Sequence, residues 1–284
     1  MSDPDLAAIQ AAERKRLGFD DAKPEPPKRV TLTVPCAKCG VPVAGESMVA
    51  GPWADALMAL GRGRVWCAKC YAKAEADEQA EAAQRKIDSM RAIEADPAGA
   101  LAACGVQPAW QAASLERCPD LPKSVVGDVR RWARKPVGFL FLSGPPGCGK
   151  TWLAAGALLE AFRVGCATPA GSACVCERSL LDEVRRSYDD AKPGVRVDPG
   201  RFARLPLLLL DDLGASRLTD WGKDVVAGLI ETRHARMLPT IVTSNFSLDE
   251  IGRNIDPRTS SRLVDGGVAH AMPAVDLRAK KRKG

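Results

Sequence analysis

The stretch Gly144-Pro145-Pro146-Gly147-Cys148-Gly149-Lys150-Thr151-Trp152 follows the apolar run Phe139-Leu140-Phe141-Leu142. A loop that cradles phosphate needs a buried strand behind it, glycines that let backbone N–H groups turn inward, and a helix whose positive N-terminus faces the anion. All three are legible here. Gly144, Gly147 and Gly149 relieve the loop, Lys150 supplies a cation for the outer phosphates, and Thr151 supplies a hydroxyl for a Mg²⁺ shell as a helix begins near Trp152. Pro145, Pro146 and Cys148 complete the candidate nucleotide-binding set, with Cys148 read as a tolerated small residue. About 60 residues further on, Leu207 to Leu210 form a second apolar run closed by Asp211-Asp212. A buried strand ending in acids can place one carboxylate on Mg²⁺ and another on the attacking water. Asp211 takes the first role and Asp212 the second, with capping of the following loop as the alternative for Asp212. Together the two runs imply a nucleoside triphosphate bound with Mg²⁺.

Cys36-x₂-Cys39 and Cys67-x₂-Cys70 are separated by 27 residues. Each pair is tight enough for both sulfurs to reach one ion at about 2.3 Å, and two pairs complete a tetrahedron. The pattern favours structural Zn²⁺ over an iron–sulfur cluster or free thiols. Four protein ligands leave no open position for water, so the module is expected to present a surface to a partner. Trp53 and Trp66 read as fillers of a small core in preference to an interaction surface.

Strand-like Thr240-Ile241-Val242 ends in Thr243-Ser244-Asn245. A polar side chain at such a tip can hydrogen-bond the γ-phosphate or the lytic water, and Asn245 is chosen for this over a plain turn role. Arg258 and Arg262 lie four apart after Pro257, so on a helix they share one face, solvated by default or reaching a neighbour's nucleotide. Cys174 and Cys176 sit two apart on an expected strand and read as core.

Alternating elements must hold these residues. The pattern predicts a helix at 124–134, then strand 138–143, helix 150–164, strand 172–177, helix 178–190, strand 206–212, helix 220–236, strand 239–244 and helices 247–254 and 257–264. That order is an α/β fold, a parallel sheet with helices on both faces. Ahead of it come a loosely ordered arm at 1–29, with a helix-compatible piece at 6–17; a cysteine module at 30–71; and a helical connector at 72–98, helical over 72–93. The α/β domain is expected to run over 99–284, with a loop at 193–199.

Hydrophobic content of 46% and charged content of 27% are those of a globular protein, and no apolar run approaches the length of a membrane span. The first twenty residues mix acids and bases, so no secretory signal is expected and the location is expected to be cytoplasmic. Net charge is +6, part of it in Arg278-Ala279-Lys280-Lys281-Arg282-Lys283, a solvated end or a hold on a polyanion.

Gly105-Val106-Gln107-Pro108, Ala113-Ser114-Leu115-Glu116, GPPGCGKT, Leu207 to Gly214 as LLLLDDLG, Glu231-Thr232-Arg233, Leu238 to Asn245 as LPTIVTSN and Ser261-Arg262-Leu263 together resemble the DnaC/IstB branch of AAA+ ATPases over about residues 100–280. The resemblance implies ATP as the nucleotide, Arg262 as an arginine finger acting on an adjacent subunit, Asn245 as sensor 1 and Arg278 as sensor 2. It implies a loader of the replicative DNA helicase onto single-stranded DNA, self-associating through its ATP sites, with a zinc-bearing N-terminal domain similar in architecture to loaders of the DnaI kind. The alternatives are an IstB-like transposition helper on duplex DNA and an ATP-gated zinc-domain adaptor with little turnover. A small-molecule kinase ranks low, for want of an acceptor lid.

Overall fold

The computed structural model describes residues 28–49, 66–118, 120–189, 200–215 and 217–277. Most of the expected arm at 1–29, its helix-compatible piece at 6–17, Trp53, the loop at 193–199 and Arg278 with the basic tail lie outside the described residues.

Two compact units divide the chain, one to Ala82 and one from Ala83. In the first, β1 (Lys28–Pro35) and β2 (Pro42–Val49) form an antiparallel ribbon. The turn between them carries Cys36 and Cys39, with Gly40 at φ 75°, a left-handed conformation that an L side chain resists. A 28-residue helix, α1 (Ala68–Ala95), starts four residues earlier than the composition suggests and takes Cys70 into its first turn. Its described side chains are mostly exposed, with Ile93 buried near the C-terminal end. A helix rich in Ala, Glu, Lys and Gln can stay regular without an apolar stripe because its intrinsic propensity is high.

The second unit begins within α1, includes Ile93, and continues with α2 (Pro97–Ala103), capped by Asp96, whose carboxylate accepts from Gly99 N at 2.8 Å. Then follow α3 (Lys123–Arg134), β3 (Phe139–Ser143), α4 (Lys150–Arg163), β4 (Ser172–Cys176), α5 (Glu177–Asp189), the short α6 (Arg201–Arg204), β5 (Leu207–Leu213), α7 (Asp220–Ala235), β6 (Thr240–Ser244), α8 (Leu248–Asn254), α9 (Pro257–Arg262) and β7 (Val268–Ala271). The five strands β3 to β7 are all parallel, in the order β4-β5-β6-β3-β7.

Because side chains alternate along a strand, the continuous apolar runs serve two layers at once. Leu140, Leu142, Leu207, Leu209 and Ile241 pack toward α3 and α4, with Val129, Leu153, Leu158 and Phe162. Phe139, Phe141, Leu208, Leu210 and Val242 pack on the other side with Leu180, Phe202, Val226, Ile230 and Ile251.

Sequence reading missed β7. It has four residues, alternates between half-buried and exposed, and is an edge strand, so it lacks the long apolar run that announced the others. Gly267 opens the way into it: a Cβ there would collide with the Phe139 backbone. Of the two cysteines read as core on β4, only Cys174 packs against the buried cluster, while Cys176 Sγ lies 3.2 Å from Ser179 Oγ in a more exposed position.

Candidate nucleotide site and candidate metal centre

The strand order puts β6 between the strand that feeds the phosphate loop and the strand that carries the two aspartates. Three strand tips therefore converge. Gly144, Gly147 and Gly149 have φ of 149°, 83° and 93°, and Gly144 N donates to Ser244 O at 3.1 Å, which ties the loop to β6. Lys150 is buried, and its ammonium donates to Gly144 O at 2.7 Å, Pro145 O at 2.9 Å and Asn245 Oδ1 at 3.0 Å. Asn245 in turn donates through Nδ2 to Asp212 Oδ1 at 2.8 Å.

A second chain of bonds runs through Asp211. Its Oδ1 accepts from Thr151 Oγ1 at 3.0 Å and from Thr243 Oγ1 at 2.6 Å, and the same Thr243 oxygen accepts from Asp212 N at 2.8 Å. Asp212 has φ 59°, an uncommon conformation for an aspartate, so the Thr243 hydroxyl helps to hold a strained backbone. Burial raises the Asp211 pKa; bonds from Thr243 and Thr151 oppose the rise, the Asp212 charge adds to it and Lys150 lowers it. A bound divalent cation would reverse that balance, because its charge is the largest in any such site. An Asp carboxylate beside a Thr hydroxyl is a hard-oxygen donor set of the kind Mg²⁺ takes with substrate phosphates, so these residues fit that ion.

Residues 129–278, more than half of the chain, match the family model of IstB-like ATP binding proteins. The chain belongs to that family. Over 113 residues it is 32% identical to the replicative helicase loader DnaI of Bacillus subtilis (strain 168), a match covering 39% of this chain and 34% of DnaI, so it spans about a third of the curated relative's length. The crystal structure of the DnaC helicase loader superposes with a TM-score of 0.52 at 21% identity, covering 59% of this chain and all of that one. The fold is thus the phosphate-loop AAA+ sheet that the resemblance implied, and the family binds ATP.

For this IstB-like chain the structure brings together Lys150, Thr151, Asp211, Asp212 and Asn245, and adds five residues to which the motifs gave no role. Thr243 bridges the two aspartates. Glu177, buried at the start of α5, accepts from Gly214 N at 2.6 Å and so pins the turn that follows Asp212. Asp276 and Leu277 lie over the loop: Leu277 N donates to Gly147 O at 3.0 Å, and a Cβ on Gly147 would strike the Asp276 carboxylate. Arg233, fully buried, donates to Thr240 Oγ1, Phe202 O, Leu205 O and Pro239 O at 2.6–2.9 Å, and burial lowers its pKa to about 10. It sits in the quoted Glu-Thr-Arg motif, but nothing in a linear pattern marks an arginine as buried.

The Trp152 indole donates to Arg117 O at 3.1 Å, joining α4 to the 113–118 segment, and Cys148 is buried beneath the loop. Arg258 is exposed, whereas Arg262 is half-buried and donates from Nη2 to Glu231 Oε1 at 2.8 Å.

In the first unit the four cysteine sulfurs all lie within 4.8 Å of one another, and Cys39 Sγ is 3.6 Å from Cys67 Sγ. Tetrahedral Zn–S bonds of about 2.3 Å imply sulfurs about 3.8 Å apart, so the cluster fits zinc. Cys67 N donates to Cys36 Sγ at 3.3 Å, and this and other backbone N–H groups bring the Cys36 thiol down to about 6. Cys70 goes the other way, to about 12, through bonds with the Cys39 and Cys67 thiols. The Cys36 thiolate is thereby favoured before any metal arrives, while the charge of a bound cation would be needed to ionise Cys70. Trp66 remains partly exposed, with Lys38 Nζ 5.4 Å from its ring centre, so the indole is not enclosed in a core.

Proposed function

We propose that this protein is an ATP-dependent loader of the replicative DNA helicase onto single-stranded DNA. The observation that carries the reading is the 32% identity to a replicative helicase loader, which falls on a chain that also bears a four-cysteine cluster. The modules are the cysteine unit at 30–71, a helical linker at 72–98 and the ATPase domain at 99–284, following an arm at 1–29.

In the ATPase domain, residues 144–152 would wrap the phosphates. Lys150 is held by two loop carbonyls and Asn245, so incoming phosphate oxygens take over protons that the loop now uses. Thr151 and Asp211 would hold Mg²⁺, which when bound neutralises charge on the β- and γ-oxygens. As Asn245 turns from Asp212 to the γ-phosphate, the Asp212 carboxylate is released to polarise water. Arg262 would reach a neighbouring subunit's nucleotide, so ATP would join subunits into an oligomer along which single-stranded DNA lies. Arg278 would serve as sensor 2. Zn²⁺ on Cys36, Cys39, Cys67 and Cys70 would fix the surface that meets the helicase. No described helix is long and apolar enough to cross a membrane, and the proposed setting is cytoplasmic.

Co-elution with the host's replicative helicase in size-exclusion chromatography with light scattering, with and without ATP, tests the reading. A complex that Cys67→Ser abolishes supports it; no complex under any nucleotide sinks it. The family model itself favours a second reading, a transposition helper, which would prefer duplex DNA. The strained, Asn245-bound Asp212 favours a third, an adaptor that hardly turns over, for which DNA would not stimulate hydrolysis.

A further inference from the structure

Helix α9 is rigidly placed. Asp256 caps it by accepting from Thr259 N at 3.0 Å, Pro257 opens its first turn, and Thr259 and Leu263 are fully buried. Arg262 projects from its last turn toward α7, where Glu231 accepts its Nη2 at 2.8 Å. The two ends of this pair differ. The arginine side chain is only 22% exposed, so its stem is fixed by packing, whereas the glutamate is 60% exposed. Three residues along α7, His234 Nε2 lies 2.9 Å from Asp265 Oδ2, a second tie between the same helix and the turn that follows α9.

We propose that Glu231 is a positioning residue that parks Arg262 within its own subunit, and that the arginine engages a neighbour's ATP by exchanging this carboxylate for phosphate oxygens. The proposal rests on reading Arg262 as an arginine finger. A guanidinium joined to a carboxylate carries little net charge and stabilises a transferring phosphoryl group poorly, so the pair weakens the arginine's hold on a neighbour's nucleotide until the exchange is made. One N–H arm on a solvent-facing carboxylate is also weak enough to lose to a triphosphate, whose charge and oxygens can use the guanidinium fork more fully. Assembly then bears the cost of breaking the pair, and removing the carboxylate lowers the protein concentration at which neighbours begin to activate each other.

The test measures ATP turnover per subunit against protein concentration, with Mg²⁺ and saturating ATP, and light scattering for mass. Glu231→Gln keeps shape and removes charge. Its activation midpoint falls about threefold relative to wild type, the gain expected for an exposed pair, while its plateau rate is not below wild type. Asp265→Asn, which loosens the other tie without freeing Arg262, leaves the midpoint in place, so mere slackening of α9 is separated from release of the arginine. A midpoint for Glu231→Gln that is unchanged or higher overturns the proposal, making the glutamate a bystander or a guide that delivers the finger. The finger reading has its own control: Arg262→Ala should abolish concentration-dependent activation in both backgrounds. If it does not, that reading fails whatever Glu231→Gln shows, and this proposal goes with it.

Discussion

The cysteine cluster takes its ligands from a tight turn in a two-stranded ribbon and from the entry to a long helix, whereas the nucleotide cluster takes its residues from three neighbouring parallel strand tips. Among the described side chains of the first unit, Cys36 is the buried one. The strands behind the nucleotide site are buried on both faces by two separate apolar layers. Among the described residues of the first region, a bound ion would do what a core does in the second. A site that supplies its own scaffold can wait for its ligand, while one with little buried around it would depend on that ligand.

Zinc removal puts the greatest strain on this contrast. A structural zinc site contributes on the order of 10 kcal/mol, so a zinc chelator or Cys67→Ser should strip hydrogen-exchange protection from the ribbon at 28–49 and from the first turns of α1, and leave protection of β3, β5 and β6 intact. Equal loss in both regions would mean that the nucleotide fold also leans on the metal.

The converse perturbation is Arg233→Met. The fully buried guanidinium satisfies three main-chain carbonyls and Thr240, so breaking the cluster should cost roughly 3 kcal/mol or more. Thermal unfolding of the ATP-binding unit should move down by several degrees, with zinc content unchanged. An unaltered melting temperature would show that the clamp is dispensable.

The finest test is Asp211→Asn. Burial raises the Asp211 pKa, so its charged form opposes folding of the nucleotide-free protein. For a group raised in the folded state, the stabilising contribution is complete below the unfolded carboxylate value and disappears as pH rises through the folded value. In Mg²⁺-free buffer the wild type should therefore lose stability across that window relative to Asp211→Asn, and the variant should melt higher at neutral pH while losing ATP turnover. A variant that melts lower would show that the carboxylate supports the empty fold.

Much of this was legible in linear form because the signals were local. Glycine spacing, the Leu207–Leu210 run and the CxxC pairs act within a few positions of themselves. Thr243 was not legible, since its two partners are 31 and 32 residues away and meet it only across β5 and β6. Glu177 escaped for the same reason, its partner Gly214 being 37 positions on. Trp66, expected to fill a core, shows the limit from the other side: its composition fits burial, but its surroundings decide exposure.

The sequence alone determined the phosphate loop, the acids that answer it and the four thiols, because each requires particular atoms at a short, nearly invariant chain spacing. Tertiary structure alone decided that β6 lies between β3 and β5. That order lets one asparagine touch both Lys150 and Asp212 and lets one threonine hold both aspartates, while the packing of α9 on α7 sets Arg262 against Glu231. Strand order is chosen by how two apolar layers pack on a twisted sheet, and no spacing along the chain encodes that choice.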